Sequence, residues 1–177
     1  MIRRLLVGVI VMGLSMAAPQ QSAVVQVMVN IKSIFELSVD RNIVDFKSML
    51  PGEDKKDMPD NEGVKVNVRT NNGRPWFLKV SNLSELSNGS DVIPNSQFSW
   101  YGYPSKTARG TWFGNGENSF SLTPVLAYSS DATEYNNYDM DPKKQNGTDT
   151  FFKFGLKVPA KQNSGVYRSI IAFTLTE

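Results

Sequence analysis

Apolar residues recur at every second position along nearly the whole chain, and that period leaves little choice of architecture. Val64, Val66 and Val68 alternate with Lys65, Asn67 and Arg69, and Trp76, Leu78 and Val80 alternate with Phe77, Lys79 and Ser81. Downstream, Phe152, Phe154, Leu156 and Val158 fall on one face, and Ile171, Phe173 and Leu175 fall on another against Ala172, Thr174 and Thr176. A side-chain period of two is that of a half-buried strand, and no segment carries a helical stripe. Upstream, Val25, Val27, Val29 and Ile31 alternate in the same way, as do Phe35, Leu37 and Val39, followed by Val44 and Phe46.

The punctuation between these runs agrees with an antiparallel all-β chain. Asn72-Gly73, Asn88-Gly89, Asn115-Gly116 and Asn146-Gly147 suit left-handed turn positions, which Asn and Gly occupy at low cost. Pro51-Gly52 and Pro59-Asp60 bound a charged segment, Glu53 to Asp57, expected to be a loop. The pattern gives about nine or ten short strands without intervening helices, which must cover one sheet with another. The expectation is an antiparallel, immunoglobulin-like β-sandwich, with a closed barrel as the structural alternative.

The first residues read as a secretion signal, expected to be cleaved after Ala17. Arg3 and Arg4 give a positive start, Leu5 to Leu14 an apolar run and Ser15-Met16-Ala17 a small-x-small site. An apolar run of about ten residues falls short of the roughly 20 that span a bilayer, so no membrane span is expected after cleavage. Residues 18–177 are then expected to form one domain. Without the leader Lys+Arg falls from 19 to 17, against 17 Asp+Glu. The mature chain is therefore formally neutral and lacks the positive charge that supplies most nucleic-acid affinity.

Inventory bears on chemistry as directly as charge does. The chain has no histidine and no cysteine, so Ser-His-Asp and Cys-His catalysis, the commonest zinc ligands and any disulfide framework are excluded. A carboxylate pair could still serve a glycosidase, but the acidic residues sit in turn-like segments where solvated surface charge is the ordinary state. No enzyme and no cofactor is expected. Glu134 to Asp141 gathers oxygen ligands of the kind calcium prefers, with Asp139 and Asp141 as the weak metal candidates, yet without the spacing of a calcium loop.

The aromatic stretch Phe98-Ser99-Trp100-Tyr101-Gly102-Tyr103, with Thr111-Trp112-Phe113, is the candidate binding element. Alternation puts Phe98 and Trp100 on one face and Tyr101 and Tyr103 on the other. Trp100, Tyr101, Tyr103 and Trp112 are the candidate binding residues, since exposed flat rings stack on sugars. The competing assignment is a core or edge-strand aromatic cluster.

Two tripeptides with like spacing, Trp76-Phe77-Leu78 and Phe173-Thr174-Leu175, add a family reading. With Phe35 to Asp40 through Phe46 near the start and Gly165-Val166-Tyr167 before the last strand, they make the chain resemble the WxL domain of bacterial surface proteins. Phe173 stands where that family has its second tryptophan. The resemblance implies an exported, non-catalytic β-sandwich held non-covalently at the cell wall or envelope, with glycan or other surface proteins as partners. Trp76, Leu78, Phe173 and Leu175 are assigned to the core. Two alternatives stand beside it. One is a pilin-like or fimbrial subunit self-assembling by strand pairing through Val24 to Ile31, and the other is a glycan-binding adhesin.

Overall fold

The computed structural model describes residues 25–60, 62–141, 144 and 146–177. The expected leader, its cleavage site at Ala17 and Val24 lie outside the described residues. The chain divides into two units, 1–31 and 32–177. In the first, residues 25–31 form no strand, and Val25, Val27, Val29 and Ile31 are 77–88% exposed. This corrects the expectation of a strand there: the alternation is present, but residues 25–31 form no strand.

The second unit is all β, with no α-helix among the described residues. Its strands are β1 (Phe35–Val39), β2 (Asp54–Met58), β3 (Val64–Thr70), β4 (Phe77–Asn82), β5 (Leu86–Ser87) and β6 (Val92–Ile93), followed by β7 (Phe98–Pro104), β8 (Thr111–Trp112), β9 (Asn118–Ser119), β10 (Val125–Ser129), β11 (Thr148–Lys157) and β12 (Ile171–Thr176). The larger sheet runs β1-β3-β11-β7-β9, with β2 also on β11, and the second runs β12-β4-β10-β8. Every pairing between these strands is antiparallel. The short β5–β6 hairpin closes on Asn88-Gly89.

The inward rows of the two sheets meet in one core. Val66 and Val68 of β3, Phe152 and Phe154 of β11, Leu78 and Val80 of β4 and Tyr128 of β10 are all at most 1% exposed. Ring contacts join the layers: Phe152 lies 4.7 Å from Phe173 of β12 and 5.4 Å from Trp112 of β8. Aromatic pairs at such separations add to the stabilisation from burial itself. A bulge between Leu126 and Tyr128 turns both Ala127 and Tyr128 inward, breaking the strict alternation of β10.

Two further expectations are corrected. The charged segment after Pro51-Gly52 is not a loop but β2, whose Met58 is 6% exposed in the core while Asp54 and Lys56 stay outside. Val44 and Phe46 pack against the core from a segment without strand pairing. The turn chemistry, by contrast, is as expected: the glycine of each Asn-Gly pair has positive φ, from 69° to 102°. At Gly147 the requirement is doubled, because a Cβ would come 2.6 Å from the Val68 carbonyl oxygen.

Candidate functional site

The two halves of the aromatic stretch on β7 have opposite fates. Trp100 faces inward and is 1% exposed, edge-on to Trp112 with ring centroids 6.4 Å apart and tilted against Phe152. It cannot present a face to a ligand, which corrects its assignment as a binding ring. Trp112 is half-buried on β8 against the same cluster, and its indole N–H has no hydrogen-bond partner among the described residues. It too is a packing residue. Tyr101 and Tyr103 do point to the other side, as alternation requires, with Tyr101 half-buried and Tyr103 42% exposed.

The strand register completes that outer face with residues distant in sequence. Phe151 of β11 lies opposite Tyr103, and their rings stack 5.2 Å apart with planes 22° from parallel. The Tyr103 hydroxyl donates to the Glu62 carbonyl at 2.8 Å, which fixes the ring. Lys153 lies opposite Tyr101, and on the far side of β11 Phe151 lies opposite Lys65 and Asp149 opposite Asn67. At about 4.8 Å per strand, the face from β7 through β11 and β3 to β1 is about 14 Å wide.

Beside the rings the same face carries a shallow polar groove of about 510 Å³ lined by Ser38, Asp40, Lys65, Asn67, Arg69 and Asp149, among others. Asn67 donates to Asp149 at 2.7 Å and to the Asn146 carbonyl at 3.1 Å, Arg69 pairs with Glu36 at 2.5 Å, and Lys65 stands 3.9 Å from Asp149. Partial burial acts to raise the Asp40 carboxyl, but hydrogen bonds from Arg41 and the Lys65 backbone outweigh it and hold the group below 3.8. The groove therefore offers fixed acceptors and donors of both signs beside a hydrocarbon platform. That is the composition for holding a polyhydroxylated ring: apolar C–H faces against the aromatics, hydroxyls against the amide and charged groups.

The second concavity, about 330 Å³, is lined by Arg109, Glu134, Asn137, Asp139 and Thr148, among others. Its centre is a buried carboxylate. Glu134, 5% exposed, accepts from the Tyr128 hydroxyl at 2.7 and 2.8 Å, the Arg109 N–H at 3.1 Å, the Asp131 N–H at 2.9 Å and the Thr148 hydroxyl at 3.2 Å. Its backbone carbonyl receives the Trp76 indole N–H at 3.2 Å. The arrangement pins the Asp131 to Asp139 segment to the core and fills both Glu134 oxygens with hydrogen-bond donors. Asp139 pairs with Lys144 at 3.2 Å and accepts from the Asp141 N–H. Among the described residues no group of three or more His, Cys, Asp or Glu side chains could hold a metal ion, so the weak candidates Asp139 and Asp141 are joined by no third such ligand.

Burial, with the Glu134 carboxylate beside it, pushes the Tyr128 phenol well above its ordinary value of 10.0. The raised value means the unfolded chain loses this proton first as pH rises. Stability from this group is complete below pH 10 and declines above it, by about 1.4 kcal/mol per pH unit. Denaturant melts from pH 9 to 11 read this slope directly, and Tyr128→Phe should flatten it; an unchanged slope in that variant would assign the decline to other groups.

The two sequence tripeptides turn out to be neighbours. β12 pairs with β4 so that Leu175 lies opposite Leu78 and Phe173 opposite Val80. Trp76 and Leu78 are fully buried, whereas Phe173 and Leu175 are half-buried and packed against the core. No helix among the described residues is long and apolar enough to cross a membrane. A scan against protein-family models, a search of curated proteins and a search of solved structures each give no match.

Proposed function

We propose that this chain is an exported, non-catalytic binding protein of the cell envelope that holds glycan on the outer face of its larger sheet. The observation that carries the reading is the stacked Tyr103–Phe151 pair, with Tyr101 on the same face, alongside a polar groove rich in fixed hydrogen-bonding groups. The lack of histidine and cysteine, and the saturation of Glu134 by donors, favour binding over chemistry. The apolar leader-like start supports export, and the resemblance to WxL domains supports the wall or envelope as the place. Trp76, Leu78, Phe173 and Leu175 then mark the fold, and the ligand surface lies on the opposite side of the sandwich.

The test is sedimentation with insoluble peptidoglycan and with other insoluble polysaccharides. Wild-type protein is expected in the pellet, and Tyr103→Ala with Phe151→Ala is expected to weaken binding about tenfold, equivalent to about 1.4 kcal/mol. Thermal melts verify that these outward-facing substitutions leave the fold intact. Equal pelleting of the variant would remove this face as the contact surface, and absence of wild-type binding to every glycan would remove the function.

A further inference from the structure

Of the four Asn-Gly pairs in this chain, three are tied down by hydrogen bonds and one is not. Asn-Gly is a reactive step, because a glycine nitrogen with no Cβ beside it can reach back and bond to the preceding side-chain carbon. That needs an asparagine side chain free to swing and a glycine N–H free to leave its place. Asn72 meets neither condition: its amide accepts from the Ser33 hydroxyl at 2.6 Å and donates to Glu177 at 2.7 Å, while the Gly73 N–H donates to the Tyr135 carbonyl at 3.1 Å. At Asn146 the side-chain oxygen accepts from the Asp139 N–H at 3.1 Å, and the buried Gly147 donates to the Asn137 carbonyl at 2.9 Å. At Asn88 the side-chain oxygen accepts from the Ser90 and Asp91 N–H groups at 3.1 and 2.8 Å, and the Gly89 N–H faces the Ser87 hydroxyl at 3.4 Å.

Asn115-Gly116 meets both conditions. The pair lies in the connection between β8 and β9, and both residues are exposed. Among the described residues the Asn115 amide has no hydrogen-bond partner and the Gly116 N–H donates to none. Gly116 has φ 77°, and a Cβ built there would meet nothing within 4 Å, so the tip has room to rearrange. Its flanks are held. Gly114 is buried where a Cβ would come 2.5 Å from the Trp100 ring and 2.7 Å from the Trp112 ring, and the Glu117 carboxylate accepts from the Ser99 hydroxyl and the Lys56 ammonium, each at 2.7 Å. Motion at the tip therefore stops at these anchors and leaves the core as it is.

We infer that Asn115 is a self-modifying site, which deamidates in the folded protein while Asn72, Asn88 and Asn146 persist. The Gly116 nitrogen gives its proton to solvent base and bonds to the Asn115 Cγ; the Cγ–Nδ2 bond breaks and the amide nitrogen leaves as ammonia. Water then opens the five-membered imide at either carbonyl. One opening gives aspartate, and the other gives isoaspartate, with the main chain rerouted through the former side chain. The net change is water in and ammonia out, with no oxidant, metal or partner protein required. Each event adds a negative charge two residues from Glu117 and its ion pair with Lys56. The inference is independent of the glycan face.

The test is a time course of the full-length protein at mildly alkaline pH, native and in urea, read by peptide mapping with mass spectrometry. In the native protein Asn115 is expected to convert about tenfold faster than each of the other three, the factor that about 1.4 kcal/mol of local opening imposes on a tied site. In urea the four rates should converge, since the dipeptide is the same and the ties are gone. Asn115→Gln should remove the fast phase, seen as loss of the acidic species on isoelectric focusing, without moving the melt. Equal native rates at the four sites would overturn the inference. So would an Asn115 preference of the same size in urea, since that would assign it to neighbouring sequence and not to the fold.

Discussion

Trp76→Ala is expected to lower the melting temperature of the 32–177 unit by about 6 to 20 °C. The indole is fully buried, lies 5.4 Å from the Tyr128 ring, and donates its N–H to the Glu134 carbonyl. Truncating a buried tryptophan costs about 3–5 kcal/mol in lost contacts and residual cavity. A domain of this size loses about 2–4 °C per kcal/mol. The cavity cannot collapse easily, because Trp76 enters β4 with its own N–H tied to the Ser130 hydroxyl at 2.8 Å and the Ser130 N–H tied back to the Trp76 carbonyl at 3.0 Å. Calorimetry of the purified variant reads the effect, and a melt within a few degrees of wild type would show that the site repacks. Trp76→Phe, which keeps most of the volume but not the donor, should fall between the two.

The residues that made the strands legible are those whose burial depends only on their own strand. In β3 and β11 an inward row of Val or Phe alternates with Lys, Asn and Asp, so the period is visible without knowing the partner. β2 was illegible for the converse reason: only Met58 of its five residues is buried, and four charges hide a strand whose pairing with β11 is specified by the partner. The Val25–Ile31 segment shows the limit from the other side. It has the alternation of a strand, yet strand formation is a pairing event, and residues 25–31 form no strand.

The candidate site was half legible. Alternation placed Tyr101 and Tyr103 on the outer side of β7, and the same rule, taken seriously, already set Trp100 against them on the core side. What no local pattern contains is that Phe151, 48 positions after Tyr103, arrives opposite it through the β7–β11 register. Lys65, Asn67 and Asp149 join through a second register, β3 on β11. In the sequence Glu134 is one oxygen-bearing residue among many in an acidic segment. A signal for it was present: Asp131-x-x-Glu134 has the spacing of a capping box, and the structure forms that box around the short turn at Ala132–Glu134. The burial that follows from Tyr128 and Thr148 was not readable, since those side chains come from two different strands.

That buried carboxylate gives the second large effect. In Glu134→Gln the side chain keeps its shape but exchanges one acceptor oxygen for an N–H₂ group. Four groups donate to the native carboxylate, three of them to Oε1 and the Asp131 N–H and Tyr128 hydroxyl to Oε2. Whichever way the amide turns, its N–H₂ meets at least one backbone N–H, so a buried donor faces a donor and both go unsatisfied. Hydrogen bonds to a charged acceptor contribute about 1.5–3 kcal/mol each, and an orphaned buried donor costs about 1–3 kcal/mol. The expected loss is therefore about 3 kcal/mol, measured as the shift in urea midpoint at constant slope. A double-mutant cycle with Tyr128→Phe separates local polar mismatch from general damage: the two substitutions touch the same oxygens, so their joint cost should fall well short of the sum. A wild-type midpoint for Glu134→Gln would mean that the node carries no net stability. Because the Glu134 carbonyl also anchors the Trp76 indole, a coupled loss would further tie the acidic segment to the tryptophan that organises β4, making a loop that looked like surface charge a structural part of the core.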